Sequence, residues 1–208
     1  MKMAHQRATR VHLGELATVR AGLPLRKAVA AVADGSHFLL QIRDFGPDRR
    51  TIYGEGMVRV SPESIGKGGE LREGDIVFLA KGTRNFSCVV RALPGPAVAA
   101  PHFFILRVRG QVLPEYLAWF LNQDAPRRQF TRLAGAGARV PVVRREVLEN
   151  IEVPLPDLAT QRRIVEFDAL MRRQLALLNE LAEKKRTLAA LAGMWAATHA
   201  KDQENTHE

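Results

Sequence analysis

Residues 151–165, which read IEVPLPDLATQRRIV, constrain the fold of this chain more than any other segment. The two prolines cannot lie inside a helix, and they hold the residues before them extended. Asp157, with Thr160 or Gln161 behind it, is a typical N-terminal cap for a helix that begins here. The segment therefore predicts a hinge, at which a globular part ends and a long helix begins.

The two sides of this hinge differ in charge. Residues 1–155 contain 23 Lys+Arg and 14 Asp+Glu, whereas residues 156–208 contain 8 of each, so the whole net charge of +9 lies before the hinge. The basic charge of the globular part indicates that it binds a polyanion. The neutral, leucine-rich helix indicates that it binds a protein. Charge alone also fits a ribosome-associated protein or a protein at an acidic membrane surface.

Size and composition narrow the class of protein. With 208 residues, 46% of them hydrophobic, the chain can bury one core and carry an appendage. The single cysteine, Cys88, permits no internal disulfide bond, and the polar N-terminus lacks the apolar core of a signal peptide. No window approaches the ~18 uninterrupted apolar residues of a membrane span. We therefore predict a cytoplasmic protein without a membrane partner.

Apolar runs bounded by glycine and proline predict a sheet in the globular part. The polar and basic residues 81–85 separate two of these runs and predict a hairpin with a charged tip. A first-turn proline and helical spacing predict a helix at residues 114–122, while residues 13–19 fit either a short helix or a strand. The predicted strands lie at residues 38–45, 57–60, 76–80, 86–90 and 102–108.

Together these elements predict an α+β fold, with a mixed-sheet globule at residues 1–156, one long coiled-coil helix at 157–198 and a flexible tail at 199–208. Past the hinge, apolar residues step by threes and fours, as in the seam of a coiled coil. A helix reaching residue 197 would be about 55 to 60 Å long, too long for the globule to cover. The seam residues predicted to mediate dimerisation, or docking on a partner subunit, are Phe167, Met171, Leu178, Leu181, Leu188 and Trp195.

Residues 126–145 form the densest cationic segment, with six arginines and no acidic residue. Arg127 and Arg128 fit a solvated helix face as well as a phosphate contact. Arg132 and Arg139 flank two glycines, and a glycine-rich loop lets the backbone approach a phosphate while arginine adds bidentate contacts. These features predict a phosphate-binding segment.

The hairpin tip is a second cationic set. Arginine and asparagine are the side chains that best match the major-groove edges of guanine and adenine, although asparagine is also common at hairpin tips for turn geometry alone. The two sets together predict eight DNA-binding residues: Lys81, Arg84, Asn85, Arg127, Arg128, Arg132, Arg139 and Arg144.

Motifs of enzymatic chemistry are missing from the sequence. It contains no dinucleotide-binding glycine motif, no P-loop, no GxSxG and no Cys/His pairing at zinc spacing, so we predict no catalytic residue, no cofactor and no metal. Asp157 with Glu183 and Lys185 imitates the acids and lysine of metal-dependent nucleases. Along a helix the two acids would lie about 40 Å apart, too far to share an ion. Cys88, in an apolar run, is predicted to be a packing residue.

By their order and spacing, six segments resemble the specificity subunits of Type I restriction-modification enzymes, and specifically one half of such a subunit. Together they span residues 13 to about 190, and the hinge with PLPDLATQRRIV is the strongest of them. The other segments are LGELATVRAG (13–22), LLQIRDF (39–45), GDIVFLAKG (74–82), FILRV (104–108) and PEYLAWFLN (114–122).

The resemblance implies a globular target-recognition domain followed by a long helix. In that family two such units in one polypeptide pair their helices as a coiled coil, each globule reads half of a bipartite DNA site, and the helices dock the modification subunits. This chain has one unit only, and it has DLATQ where many relatives have a second proline and a glutamate before the glutamine. The resemblance thus implies a half-subunit that works as a homodimer, or a solitary recognition domain.

The leading hypothesis is a noncatalytic protein that recognises double-stranded DNA for a restriction-modification complex, in which DNA methyltransferase subunits carry the chemistry. The alternative is a coiled-coil adaptor of a DNA-associated defence complex that binds DNA only nonspecifically. A stand-alone nuclease is disfavoured, because the sequence lacks the metal-binding acids that such an enzyme requires.

Overall fold

The structure is a computed structural model that describes residues 9–23, 34–61, 69–82, 84–133 and 142–199, with the backbone alone at 131–133. The strands are β1 (Thr9–His12), β2 (Ala17–Ala21), β3 (His37–Leu40), β4 (Val58–Val60), β5 (Ile76–Leu79), β6 (Ser87–Val89), β7 (Ala97–Ala99), β8 (Phe103–Val108) and β9 (Glu152–Leu155). The helices are α1 (Leu13–Leu16), α2 (Pro114–Leu121), α3 (Asp124–Leu133), α4 (Arg145–Glu149) and α5 (Leu158–His199), with a 3-10 helix at Ile42–Asp44.

The described strands form three sheets. The largest has the order β2-β8-β5-β6, and all its neighbours are antiparallel. A second sheet has the order β4-β3-β7, in which β3 is antiparallel to β4 and parallel to β7. β1 and β9 form a separate antiparallel pair. These mixed sheets and the long helix α5 confirm the predicted α+β class.

β5 separates two hydrophobic clusters, because successive side chains of a strand point to opposite faces. Ile76 and Phe78 pack into one cluster with residues of α1 and α2. Val77 and Leu79 pack into the other cluster with residues of β3 and β7. All four residues are buried, as the uninterrupted apolar run of the sequence predicts for a strand covered on both faces.

The hinge at residues 151–165 combines a strand with a helix cap. Pro154 lies in β9, and its carbonyl accepts a hydrogen bond from the Tyr116 hydroxyl of α2. The Asp157 carboxylate accepts the backbone N–H of Thr160 at 2.7 Å and its hydroxyl at 3.2 Å. The backbone hydrogen bond from Thr160 holds the pKa of Asp157 below its usual value. The cap predicted at Asp157 is therefore confirmed.

Gln161 has a role that the capping pattern does not reveal. Its side chain is 0% exposed and bonds three backbone groups. It accepts the Leu113 N–H at 2.9 Å and donates to the carbonyls of Gln111 and Pro156 at 3.0 and 2.8 Å. These three hydrogen bonds satisfy the buried amide, and they connect the first turn of α5 to the start of α2.

Two segments refine the sequence prediction. The strand predicted at residues 38–45 ends at Leu40, because the Asp44 carboxylate accepts the Gln41 N–H at 2.6 Å and turns the chain into the 3-10 helix. Residues 13–19, which fit a helix or a strand by sequence, contain both: α1 is followed directly by β2.

The chain divides into two compact units, Met1–Val165 and Glu166–Glu208. In the second unit, the described residues 166–199 are helical throughout. The boundaries predicted after residues 156 and 198 stay a prediction. Over the described part of the chain, no helix has the length and the apolarity needed to cross a membrane.

Candidate nucleic-acid interface

A cleft of about 870 Å³ lies in the first unit, where the β5–β6 hairpin, α3 and the loop after the 3-10 helix meet. Its lining contains four arginines and one acidic residue, and such a concentration of cations on a concave surface attracts polyanions. The charged and amide-bearing residues of the lining are Asp48, Arg49, Arg50, Arg84, Asn85, Asn122 and Arg127.

The predicted hairpin is confirmed by the antiparallel pairing of β5 with β6. At its tip, Gly82 has a φ of +118°, a backbone conformation that L side chains rarely adopt. The Asn85 amide donates to the Leu79 carbonyl at 2.8 Å, so its nitrogen shapes the turn. Arg84 is exposed and lines the cleft. The tip thus presents a guanidinium to the cleft and uses its asparagine to hold the turn.

The hairpin and the arginine-rich segment are joined through the backbone. The Val143 N–H donates to the Ala80 carbonyl at 2.9 Å, and Lys81 pairs with Val142 in an isolated bridge. Arg144 follows at the N-cap of α4 and is exposed, as is Lys81. The described end of the arginine-rich segment, residues 142–145, therefore lies beside the hairpin at the end of β5.

Helix α3 carries Arg127, Arg128 and Arg132 of this segment. Arg127 and Arg128 are exposed, and Arg127 lines the cleft. Phe130 is buried and packs edge-on against Phe78 of β5, with ring centroids 5.2 Å apart, which anchors α3 on the sheet. The side chain of Arg132 and the whole of Arg139 lie outside the described residues.

Asn122, the C-cap of α2, is a cleft residue that the sequence did not single out. Its Oδ1 accepts the Ser87 N–H at 2.9 Å, and its Nδ2 donates to the Ser87 carbonyl at 2.8 Å. The amide therefore occupies both backbone groups of the first residue of β6 and fixes α2 to the hairpin. A polar residue at a helix end is the only sequence signal of this role, and it does not identify the partner.

The loop at residues 46–51 also contributes to the cleft and was missed by sequence reasoning. It supplies Asp48, Arg49 and Arg50 to the lining. The Asp48 Oδ1 accepts the backbone N–H groups of Arg50 and Thr51, each at 3.0 Å. The signal in the sequence is a Gly-Pro-Asp turn followed by two arginines, which is typical of many surface turns.

Cys88 lies in β6, and its side chain is buried beside this loop. The thiol donates to the Arg50 carbonyl at 3.0 Å. Burial raises the pKa of the Cys88 thiol to about 12. The thiolate is the reactive form of cysteine, and a raised pKa keeps the thiol protonated. This environment therefore agrees with the packing role predicted from the sequence.

We expect iodoacetamide at pH 8 to leave Cys88 of the native protein unmodified. A thiol with a pKa of about 12 should react more than about 1000-fold more slowly than an ordinary cysteine, since so little of it is thiolate. Mass spectrometry measures the labelling, with the same chain in guanidinium chloride as the reactive control. Rapid stoichiometric labelling of the native protein would contradict the buried position.

The second unit presents a long apolar face. The six predicted dimerisation residues, Phe167, Met171, Leu178, Leu181, Leu188 and Trp195, are 40 to 67% exposed. Charged residues of the same helix pair with each other, with Asp168 to Arg172 at 2.9 Å and Glu180 to Lys184 at 2.7 Å. Among the described residues, the apolar side chains of this face are therefore largely exposed, and their role in dimerisation stays a prediction.

No protein-family model and no curated protein matches this sequence. Solved structures do match, at low identity. A chain from the structures that describe complex assembly and conformational transition of the type I R-M system is 20% identical, with a TM-score of 0.67, over 92% of this chain. The HsdS subunit from Thermoanaerobacter tengcongensis is 20% identical with a TM-score of 0.57 over 86% of this chain.

The S subunit of the Type-I restriction-modification system from M. genitalium also matches, with 14% identity and a TM-score of 0.53 over 90% of this chain. This chain has the S-subunit fold. It spans 45%, 40% and 45% of the three matched chains, so it corresponds to less than half the length of each.

Proposed function

We propose that this chain is a noncatalytic DNA-recognition subunit of a restriction-modification complex, and that its globular unit binds one half of a bipartite duplex site. The observation that carries the proposal is the cleft with four arginines, built on an S-subunit fold. Methyl transfer and strand cleavage belong to other chains of the complex in this proposal, and the complex works in the cytoplasm.

The two cationic sets divide the work of binding. Arg84 extends from a hairpin tip that Asn85 and Asn122 hold in place, and a positioned guanidinium is suited to the O6 and N7 atoms of guanine. Arg127 and Arg128, on the exposed face of α3, neutralise phosphates without regard to sequence. The proposal assigns phosphate contacts to Lys81 and Arg144, which are exposed, and also to Arg132 and Arg139 on the basis of their residue type.

The apolar face of the second unit supplies the protein contacts. Each matched chain is more than twice as long as the part that this chain covers, so two copies of this chain fit within its length. Two copies supply two globular units and two helices. The exposed leucines of α5 pair with a second copy, and the resulting helix pair docks DNA methyltransferase modification subunits. The proposal thus makes the chain a half-subunit that functions as a homodimer.

The experiment that tests this function selects bound duplexes from a randomised library and sequences them. An enriched bipartite sequence supports recognition. Uniform weak binding would instead favour the adaptor, whose basic surface binds DNA without specificity.

On the selected site, Arg84→Ala is expected to cost about 1 to 3 kcal/mol while random DNA is bound almost as before, because a base contact is lost. Arg128→Ala should weaken binding to all duplexes alike and reduce the slope of log K against log salt by about 0.9, because a phosphate contact is lost. Titrations of both variants on both duplexes over a salt series measure the difference. Equal losses on both duplexes for Arg84→Ala would contradict its role in base recognition.

A further inference from the structure

The loop at residues 46–51 is a closed and well-bonded turn. The Gly46 N–H donates to the Thr51 carbonyl, and the Arg49 N–H donates to the Gly46 carbonyl, both at 2.9 Å. The Asp48 carboxylate also accepts the Thr51 hydroxyl at 2.8 Å, in addition to its two backbone bonds. This network fixes the backbone on which Arg49 is carried, although the loop lies at the surface.

Arg49 has a φ of +57°, and among the described residues it is the one non-glycine residue with a positive φ. The left-handed region is unfavourable for a side chain of this size and is usually occupied by glycine, asparagine or aspartate. Such conformations persist only where the surrounding structure imposes them, and they concentrate at functional sites. The backbone conformation at Arg49 is therefore maintained against a local preference.

The guanidinium of Arg49 lies over an aromatic ring. Its Cζ lies 5.7 Å from the ring centroid of Phe86, and its Nη1 donates to the Ile42 carbonyl at 3.5 Å. Phe86 is itself buried against Phe45, with ring centroids 4.9 Å apart. An aromatic face that cannot move restricts the orientation of the planar cation above it. Arg49 is nevertheless exposed, and it lines the cleft together with Arg84.

We propose that Arg49 is a second specificity-determining residue, which binds the major-groove edge of a guanine from a different wall of the cleft than Arg84. The inference rests on the proposed function, since it requires that the cleft holds duplex DNA. A phosphate contact needs only a cation near the backbone, which a flexible lysine or arginine supplies. A guanidinium that is carried on a well-bonded turn and lies over an aromatic ring is suited to the bidentate O6 and N7 pattern of one base.

The test repeats the library selection with the full chain and with Arg49→Asn and Arg49→Lys. Asparagine tolerates the left-handed backbone, and lysine keeps the charge but lacks the planar fork. Both variants should lose about 10- to 100-fold in preference for guanine at one position, a position different from that affected by Arg84→Ala. The melting temperature of Arg49→Asn should stay within about 2 °C of the wild type or rise, because strain is relieved.

Arg59→Asn is the matched control. Arg59 also lies over an aromatic ring, with its Cζ 4.9 Å from the centroid of Phe38, but it is in β4 and not in the lining of the cleft. This variant removes an arginine and a cation–π contact of the same kind. It should leave both the selected sequence and the salt dependence unchanged.

The outcomes separate the two proposals. If the wild type selects no sequence, the proposed function fails before Arg49 is tested. If the wild type selects a site and Arg49→Asn keeps the full preference, Arg49 is not a specificity residue. A uniform loss of affinity with a salt slope lower by about 0.9 would make Arg49 a phosphate contact and overturn the inference. Early melting of both variants would assign Arg49 to the stability of the fold and overturn it as well.

Discussion

Arg107→Ala is expected to destabilise the first unit by about 3 kcal/mol, because it leaves a buried carboxylate without its cation. Asp75 is 2% exposed, and Arg107 contacts both of its oxygens, with Nε to Oδ1 and Nη2 to Oδ2 each at 2.7 Å. The same carboxylate accepts the Arg72 N–H at 2.8 Å. The hydrogen bond to Asp75 raises the pKa of Arg107 above its usual value.

This ion pair connects the turn that precedes β5 to strand β8. β5 is also the first strand of the hairpin that lines the cleft. Guanidinium chloride denaturation followed by circular dichroism measures the loss, and the melting temperature should fall by about 6 to 12 °C. Arg109→Ala is the matched control, since Arg109 lies just past the end of β8 and is exposed. It should change the free energy of unfolding by less than about 0.5 kcal/mol. Equal stability of the two variants would contradict a structural role for the pair.

Leu181→Asp is expected to convert a dimer into a monomer. Leu181 is 49% exposed on the apolar face of the second unit, and a dimer would place it at the seam. A charge introduced there would be buried in both copies, which should weaken association by about 3 kcal/mol, or more than about 100-fold. Light scattering at micromolar concentration should report twice the chain mass for the wild type and the chain mass for the variant.

Asn179→Asp is the matched control for this result. It adds the same charge two residues earlier, away from the apolar stripe and with almost no change of shape. The dimer should persist in this variant. A wild-type protein that is monomeric at this concentration would contradict the homodimer and leave a modification subunit as the partner of this face.

Much of the fold could be predicted from the sequence, because local patterns determine the elements concerned. The apolar run of β5 shows the strand, the polar residues 81–85 show the turn, and a first-turn proline marks the start of α2. The cap at Asp157 depends on a bond to a residue only three positions away. The strand predicted at residues 38–45 was too long. The Asp44 carboxylate accepts the Gln41 N–H, which ends β3 although apolar residues continue beyond it.

Three properties could be recognised from the residues alone: a basic α+β globule, a hairpin with a cationic tip, and a neutral helix with an apolar stripe. Those properties follow from residue type and short-range periodicity, so they can be recognised without knowledge of distant contacts.

The set of residues that line the cleft, in contrast, depends on long-range contacts. The loop at residues 46–51 and Asn122 join the hairpin tip from positions more than 30 residues away in the chain. The role of Asn85 in DNA binding stays a prediction, and the structure adds that its amide donates to the Leu79 carbonyl. The amide of Gln161 donates to the carbonyls of Pro156 and of Gln111, which lies 50 residues away in the chain. A polar side chain has the same identity whether it faces a ligand or satisfies a buried carbonyl, and only long-range packing determines which of the two it does.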